Sequence, residues 1–516
     1  MAVSVKRNSL RSRKRWLTLR KIVQLTALLA FGLLFIAARR DGWPPDLVNV
    51  PLRLDPLAML VYSLATRTIL IGSLLALITI GLTLIFGRAW CGWLCPLGTV
   101  LDIFTPKRHR RKQSSPPEKL RAVKYVLLLT LIIAAVLGNL TLMIFDPITI
   151  MARTLSIGVW PAFDQAITSL ERTLYGVPFL QEPIGSFDNL MRPAVLPIEP
   201  LFYRDTLLFA AVFIGIIALN WIASRFWCRY LCPLGGLLGV ISKVAIVRRE
   251  VREDCTQCAA CGRVCPTDTI QPDKNFASDP AECTICLDCW AFCPQSGVEF
   301  PAHRSRAVWN DYDPNRRQAL IAIGAAVTGL ALFKSDATAR RENPQLIRPP
   351  GARENDLLDK CIRCNMCSRA CPTGAIQPSI TEAGLVGLWT PVLVPRIGYC
   401  DYSCNACGQV CPVQAIPPLS LDEKRQRVIG RAYIDQNRCI AWADHRDCIV
   451  CEEMCPLPDK AIKLEKVNVL NAGGTPVTVQ LPHVNRDKCI GCGICEYKCP
   501  VNSTAAIRVY VPGTVG

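Results

Sequence analysis

The sequence predicts a multi-domain, membrane-anchored protein: an all-α transmembrane bundle joined to small α+β domains. Three observations carry that prediction. Four apolar runs of about 17 to 20 residues recur in the first half of the chain, with basic residues on alternating sides. The chain of 516 residues is 51% hydrophobic, high for a soluble protein. All 28 cysteines fall into short-spaced groups with none left over, which points to metal ligation and away from a disulfide framework.

A net charge of +18 raises nucleic acid and a membrane surface as alternative partners, and its distribution decides between them. From Lys334 onward lie 22 of the 59 basic and 18 of the 41 acidic residues, which leaves 37 and 23 before it, a net +14. The excess belongs to the hydrophobic half, where positive flanks follow the positive-inside pattern. No RNA- or DNA-binding motif competes, so nucleic acid is not expected as a partner.

Residues 1–21 carry eight Lys or Arg and no acid, which keeps the N-terminus in the cytoplasm. Spans over residues 22–38, 69–86, 126–145 and 207–223 then cross in alternating directions. The loop after the second contains Lys107-Arg108-His109-Arg110-Arg111-Lys112, whereas the stretch between the third and fourth holds only four arginines. That extracytoplasmic loop, residues 146–205, has seven prolines and is expected to be irregular and to lie on the membrane surface.

After the second and fourth spans one pattern appears twice, 137 residues apart: Arg88-x-Trp90-Cys91-x3-Cys95-Pro96-Leu97-Gly98 and Arg225-x-Trp227-Cys228-x3-Cys232-Pro233-Leu234-Gly235. Residues 1–245 thus read as an internal duplication with parallel halves. Cys91, Cys95, Cys228 and Cys232 could together hold one further cluster or a mononuclear metal near the lipid boundary. A redox dithiol in each half, or simple packing cysteines, are the alternatives.

Cys255, Cys258, Cys261 and Cys265-Pro266 are followed by Cys283, Cys286, Cys289 and Cys293-Pro294. Both groups read C-x2-C-x2-C-x3-C-P, the spacing of bacterial two-cluster ferredoxins, in which the fourth cysteine crosses to the neighbouring 4Fe-4S cubane. Cys255, Cys258, Cys261 and Cys293 are therefore assigned to one cluster, and Cys283, Cys286, Cys289 and Cys265 to the other. Structural zinc sites use paired C-x2-C knuckles instead. The domain, residues 250–300, is of the α+β bacterial ferredoxin type and lies in the cytoplasm.

Arg316-Arg317-Gln318-Ala319-Leu320 and the apolar residues 321–333 resemble a twin-arginine export signal within a fifth span, residues 312–335, although Ala319 stands where that pattern prefers a large apolar residue. Clusters are built inside the cell, so a cluster-bearing domain beyond this span must cross already folded. Residues 350–516 carry four more groups: Cys361, Cys364, Cys367, Cys371; Cys400, Cys404, Cys407, Cys411; Cys439, Cys448, Cys451, Cys455; and Cys489, Cys492, Cys495, Cys499. These make four cubanes, six in all. The first gap is three residues in the second group and eight in the third, and separations of 28 to 34 positions from one group to the next leave both sequential and nested pairing open. Four cubanes at about −2 each take this part of the chain from +4 to about −4. There is no C-x2-C-H motif, and His109, His303, His445 and His483 all lie outside the spans, so haem is not expected. No G-x-G-x-x-G opens a βαβ unit, so neither flavin nor nicotinamide is expected.

With these motifs in view, residues 1 to about 300 resemble NapH, a four-span ferredoxin-type protein with two C-x3-C-P motifs and a two-cluster domain. Residues from about 312 onward resemble NapG, an exported four-cluster ferredoxin. The MauN and MauM pair of methylamine utilisation is similar. The chain reads as a fusion of two normally separate subunits in a bacterial cytoplasmic membrane. The resemblance implies a quinol dehydrogenase module that takes electrons from the quinone pool and passes them to a periplasmic acceptor, a cytochrome or a reductase such as a nitrate reductase system. Whether the chain is an electron-transfer subunit or an enzyme component is left open. Asp146, Asp164 and Glu171 are eligible proton acceptors for quinol oxidation, with caps or salt bridges as the alternative. The competing functions are a redox maturation or reactivation factor for a partner metalloenzyme or quinone-cofactor enzyme, and a redox sensor.

Overall fold

The computed structural model describes residues 2–38, 43–106, 116–197, 201–302, 343–380, 382–470 and 476–512, with residues 323, 324 and 327. The twin-arginine-like stretch and most of the expected fifth span lie outside the described residues, as does the basic loop at 107–112. The chain forms two compact units that cut across its linear halves. One comprises Met1–Ala37, Asp46–Thr154 and Leu208–Leu330, the other Ala38–Pro45, Leu155–Leu207 and Ala331–Gly516.

The first unit is mainly helical. Its N-terminal helix, Ala2–Ala37, contains the one stretch among the described residues, Arg13–Ala37, that is long and apolar enough to cross a membrane. The other three apolar runs form shorter helices, within Ile71–Phe86, Ala122–Val136 and Thr206–Trp221. Their lengths have local causes. Gly138 adopts φ +73°, and this left-handed residue closes the helix at Val136 before the chain resumes as a 3-10 turn at Thr141–Phe145. Thr206–Ala218 tightens into a 3-10 turn at Leu219–Trp221. A further apolar helix, Pro56–Thr66, starts where the Asp55 carboxylate accepts from Leu57 N and proline fills the first turn. Large apolar side chains such as Leu29, Leu33, Ile71, Leu207 and Ile214 stand exposed on these helices, whereas beyond residue 343 only Leu385, Val428, Ile449 and Val477 do so among the described residues.

The same unit contains a small cysteine-bearing module. Strand Glu250–Val251 pairs antiparallel with Val298–Glu299, and Ile270–Gln271 with Ala277–Ser278. One-turn helices, Ala260–Val264 and Asp288–Ala291, complete it. The helices hold this module through its backbone carbonyls. Arg88 Nη1 donates to Ala281 O at 2.7 Å, Trp93 Nε1 to Ile285 O at 2.9 Å, Arg20 Nη1 to Cys286 O at 2.8 Å and Ser224 Oγ to Pro266 O at 2.7 Å. A Cβ on Gly239 would stand 2.9 Å from Ala281 O, so this approach requires glycine.

In the second unit residues 155–207 correct the expectation of an irregular loop. They form helices Trp160–Leu174 and Gln181–Ala194. The prolines do not prevent this, because Pro161 lies in a first helical turn and Pro178 opens the 3-10 turn Pro178–Leu180. Arg192 joins the two helices by pairing with Asp164, Glu171 and Asp188. The rest of the unit is built on three antiparallel pairs: Ile376–Pro378 with Pro391–Leu393, Arg431–Ile434 with Ile507–Tyr510, and the long hairpin Ile462–Leu470 with Pro476–Val484. The core around Ile376, Leu393, Ile462, Ile507 and Val509 is completed by Cys371, Cys451, Cys489 and Cys495, so the cysteines are themselves core residues.

The second repeat's arginine makes a buried ion pair in the helical unit. Arg225 Nε and Nη2 donate to the two carboxylate oxygens of Asp102 at 2.7 and 2.6 Å, and Gln24 Nε2 adds a bond to Asp102 at 2.9 Å. Removing one partner of such a pair strands the other charge. Asp102→Ala is expected to cost about 3 kcal/mol, seen as a lower thermal unfolding midpoint in detergent, and Asp102→Leu with Arg225→Met to recover at least half of it.

Candidate metal centres

The candidate sites are built from the cysteine groups, and a local backbone rule shapes them. In the four groups with the C-x2-C-x2-C spacing, the residues on both sides of the second cysteine adopt positive φ: Gln257 and Ala259, Ile285 and Leu287, Arg363 and Asn365, Gly491 and Gly493. Two left-handed residues in this pattern wrap the loop about its thiols, and side chains other than glycine hold that conformation only where the surroundings enforce it. The groups with longer first gaps, at Cys400 and Cys439, do not show the pair. After the fourth cysteine the proline begins a second turn, with positive φ at Asp268, Ser296, Gly374 and Gln414.

These turns send the fourth thiol of each group to its neighbour. Cys255, Cys258 and Cys261 line one cavity with Cys293. Cys265 lies within electrostatic reach of Cys283, Cys286 and Cys289. In the second unit Cys439, Cys448 and Cys451 share a cavity with Cys499, and Cys489, Cys492 and Cys495 share one with Cys455. Cys361, Cys364 and Cys367 face Cys411, while Cys400, Cys404 and Cys407 face Cys371. The pairing left open by the sequence is sequential, first group with second and third with fourth. The linkers within each pair contain hairpins, 376–393 and 462–484, which occupy the place of the short 270–278 hairpin in the first module.

The donor sets are all thiol. The three cavities lined by complete cysteine sets contain no Asp, Glu or His and are otherwise mostly apolar. Among the described residues no three His, Cys, Asp or Glu side chains stand at the spacing of ligands to a single ion. Burial pushes the free thiols up, Cys283, Cys411 and Cys492 to about 11 and Cys289, Cys400 and Cys451 to about 12. Ligation must therefore displace protons, and it supplies the positive charge that stabilises the thiolates. Basic residues assist in place: the Arg249 guanidinium lies against Cys289 and near Cys261, and the Lys424 ammonium against Cys400.

The duplicated motif converges too. Cys91, Cys95, Cys228 and Cys232 are all buried and within electrostatic reach of one another. Each repeat's arginine reaches into the other repeat: Arg225 Nη1 donates to Cys91 O at 3.1 Å, and Arg88 Nη2 stands where a Cβ on Gly235 would be 2.7 Å away. Arg88 and Lys124 also clamp the buried Glu282 carboxylate, next to Cys283, and hold it below the usual carboxylate range although burial opposes ionisation. These arginines belong to the repeated pattern, and the repetition itself was the available signal for their role. Of the acids considered as proton acceptors, Asp146 caps helix Pro147–Arg153 by accepting from Ile148 N and Thr149 N, and Asp164 and Glu171 pair with Arg192.

Comparison with known proteins agrees with this geometry. Family profiles described as 4Fe-4S binding domains match residues 68–115 and 206–252, which enclose the duplicated motifs, and residues 481–507. A 4Fe-4S dicluster domain profile matches residues 275–372. The chain is 34% identical over 204 residues to the methylamine utilization ferredoxin-type protein MauM of Methylorubrum extorquens, 38% of this chain and 89% of that protein. It is 35% identical over 188 residues to the ferredoxin-type protein NapG of Escherichia coli, 35% of this chain and 78% of that protein. MauM of Paracoccus denitrificans is 34% identical over 192 residues, 36% of this chain and 82% of that protein. No solved structure matches. With all-thiol cavities completed by a neighbour's fourth cysteine, and with relatives matched over most of their own length, the chain belongs to the MauM and NapG family of iron-sulfur, ferredoxin-type electron-transport proteins.

Proposed function

We propose that this chain is a membrane-bound carrier that moves electrons between the quinone pool and a redox protein on the periplasmic side. The observation that carries the reading is the set of all-thiol cavities, each completed by the neighbouring group's fourth cysteine and present in both compact units. Six such ligand sets would hold six 4Fe-4S clusters, which supply one-electron carriers when bound. The protein's own contribution is to line the thiol sets with mostly apolar side chains, to orient those of four groups by paired left-handed residues, and to place Arg249 and Lys424 against sulfur atoms.

Membrane insertion is supported by the apolar stretch Arg13–Ala37 and by the exposed apolar side chains on the shorter helices. A periplasmic place for residues 350–516 is supported by residues 155–207, which fold into the same compact unit and lie between the third and fourth apolar runs, on the side poor in basic residues. Cys91, Cys95, Cys228 and Cys232 form a further candidate site for an iron-sulfur group, supported by their convergence and by the 4Fe-4S profile that covers both motifs.

Three measurements test this. The purified full chain, mixed with a ubiquinol or menaquinol analogue, should lose the visible absorbance of its oxidised iron-sulfur centres; no reduction by either quinol sinks the quinone-pool reading. Iron should exceed about 24 atoms per chain, the content of six cubanes, and Cys91→Ser with Cys228→Ser should bring it down to that number. Unchanged iron removes the seventh site. Finally, Cys411→Ser and Cys364→Ser should abolish the same paramagnetic signal, while Cys371→Ser abolishes another, shared with Cys404→Ser. The reverse grouping contradicts sequential pairing.

A further inference from the structure

We infer that residues 155–207 are a docking platform that holds the C-terminal four-group domain by side-chain contacts of its own, strongly enough to keep it bound when the chain between them is cut. The inference does not depend on quinol being the donor.

The platform engages one face of the domain, the segment around the fourth cysteine of the first group. Tyr203 is 2% exposed, and its hydroxyl donates to Ser368 O at 2.9 Å. Gln377 is fully buried; its Nε2 donates to Phe202 O at 3.0 Å, and its Oε1 accepts from Arg204 N at 3.2 Å. The Arg369 guanidinium, also fully buried, stacks 4.5 Å over the Trp160 ring. Leu201 packs against Gly374, whose φ of +67° belongs to the turn that follows Cys371.

These contacts have the composition of an interface core: two large aromatic anchors, a stacked arginine and a glutamine with both ends satisfied by backbone. At the rim, Arg204 and Glu382 pair at 2.7 Å with partial exposure, which adds register more than strength. Ser368 and Arg369 lie between Cys367 and Cys371, which serve two different cysteine sets. The platform thus grips the part of the domain where those two sets meet. Ferredoxin-type relatives matched over 78–89% of their own length account for only 35–38% of this chain.

The test uses the full chain with a protease recognition site placed between residues 334 and 341, immobilised in detergent by its N-terminus and cut to completion. The C-terminal fragment should remain bound, including in high salt. Trp160→Ala, Tyr203→Ala and Gln377→Ala combined should release it at least about tenfold faster, with the visible absorbance of the fragment unchanged. A wild-type fragment that washes off as fast as the triple variant overturns the proposal. Should the triple variant lose its absorbance, Tyr203→Phe decides, because it removes one buried hydrogen bond and keeps the ring; release no faster than wild type then overturns it.

Discussion

A thiol that must serve a neighbouring group constrains the chain more than any other single feature. Each group keeps three cysteines for its own cavity and lends the fourth, so two groups cannot fold independently of one another. The Cys-Pro turn enforces the exchange, and a hairpin between the groups spans the distance. The first module does this with two-residue strands, while the last uses nine-residue strands, Ile462–Leu470 and Pro476–Val484. The hairpin varies in length, whereas in the four groups with the C-x2-C-x2-C spacing the turns next to the thiols recur with the same backbone signs.

Such modules have little conventional core. Cys371, Cys451, Cys489 and Cys495 share one core with nine apolar residues, among them Ile376, Leu393 and Ile507, and in domains of this size a bound metal group ordinarily contributes to folding itself. The protein compensates by anchoring its modules to helices. In the helical unit, hydrogen bonds from Arg88, Trp93, Arg20 and Ser224 to backbone carbonyls secure the loops around Cys265 and Cys286. In the other unit, Phe202 and Tyr203 bond to the segment around Cys371 and the Trp160 ring stacks with Arg369.

Buried charge follows the same economy. Arg88, Arg225 and Arg369 are fully buried, and the first two are partnered by Glu282 and Asp102. Isolated guanidinium groups would be costly there. Placed beside thiols and carboxylates, they offset negative charge that ligated thiolates would otherwise concentrate in a low-dielectric interior.

Cysteine spacing alone identified the cysteine sets of the first module, the likeness to ferredoxin-type proteins and the duplicated motif, because ligand geometry is encoded in short, local separations. Sequential pairing in the second assembly was not legible, since separations of 28 to 34 positions between groups permit either arrangement and only the hairpins 376–393 and 462–484 bring the right thiols together. The helices of residues 155–207 were hidden by six prolines, whose effect depends on whether each falls in a first turn or an interior one. Hydropathy marked four apolar runs but not where Gly138 would end a helix. The roles of Arg88, Arg225, Tyr203 and Gln377 depended on partners more than a hundred residues away in the chain, and such contacts exist only once the tertiary structure has formed.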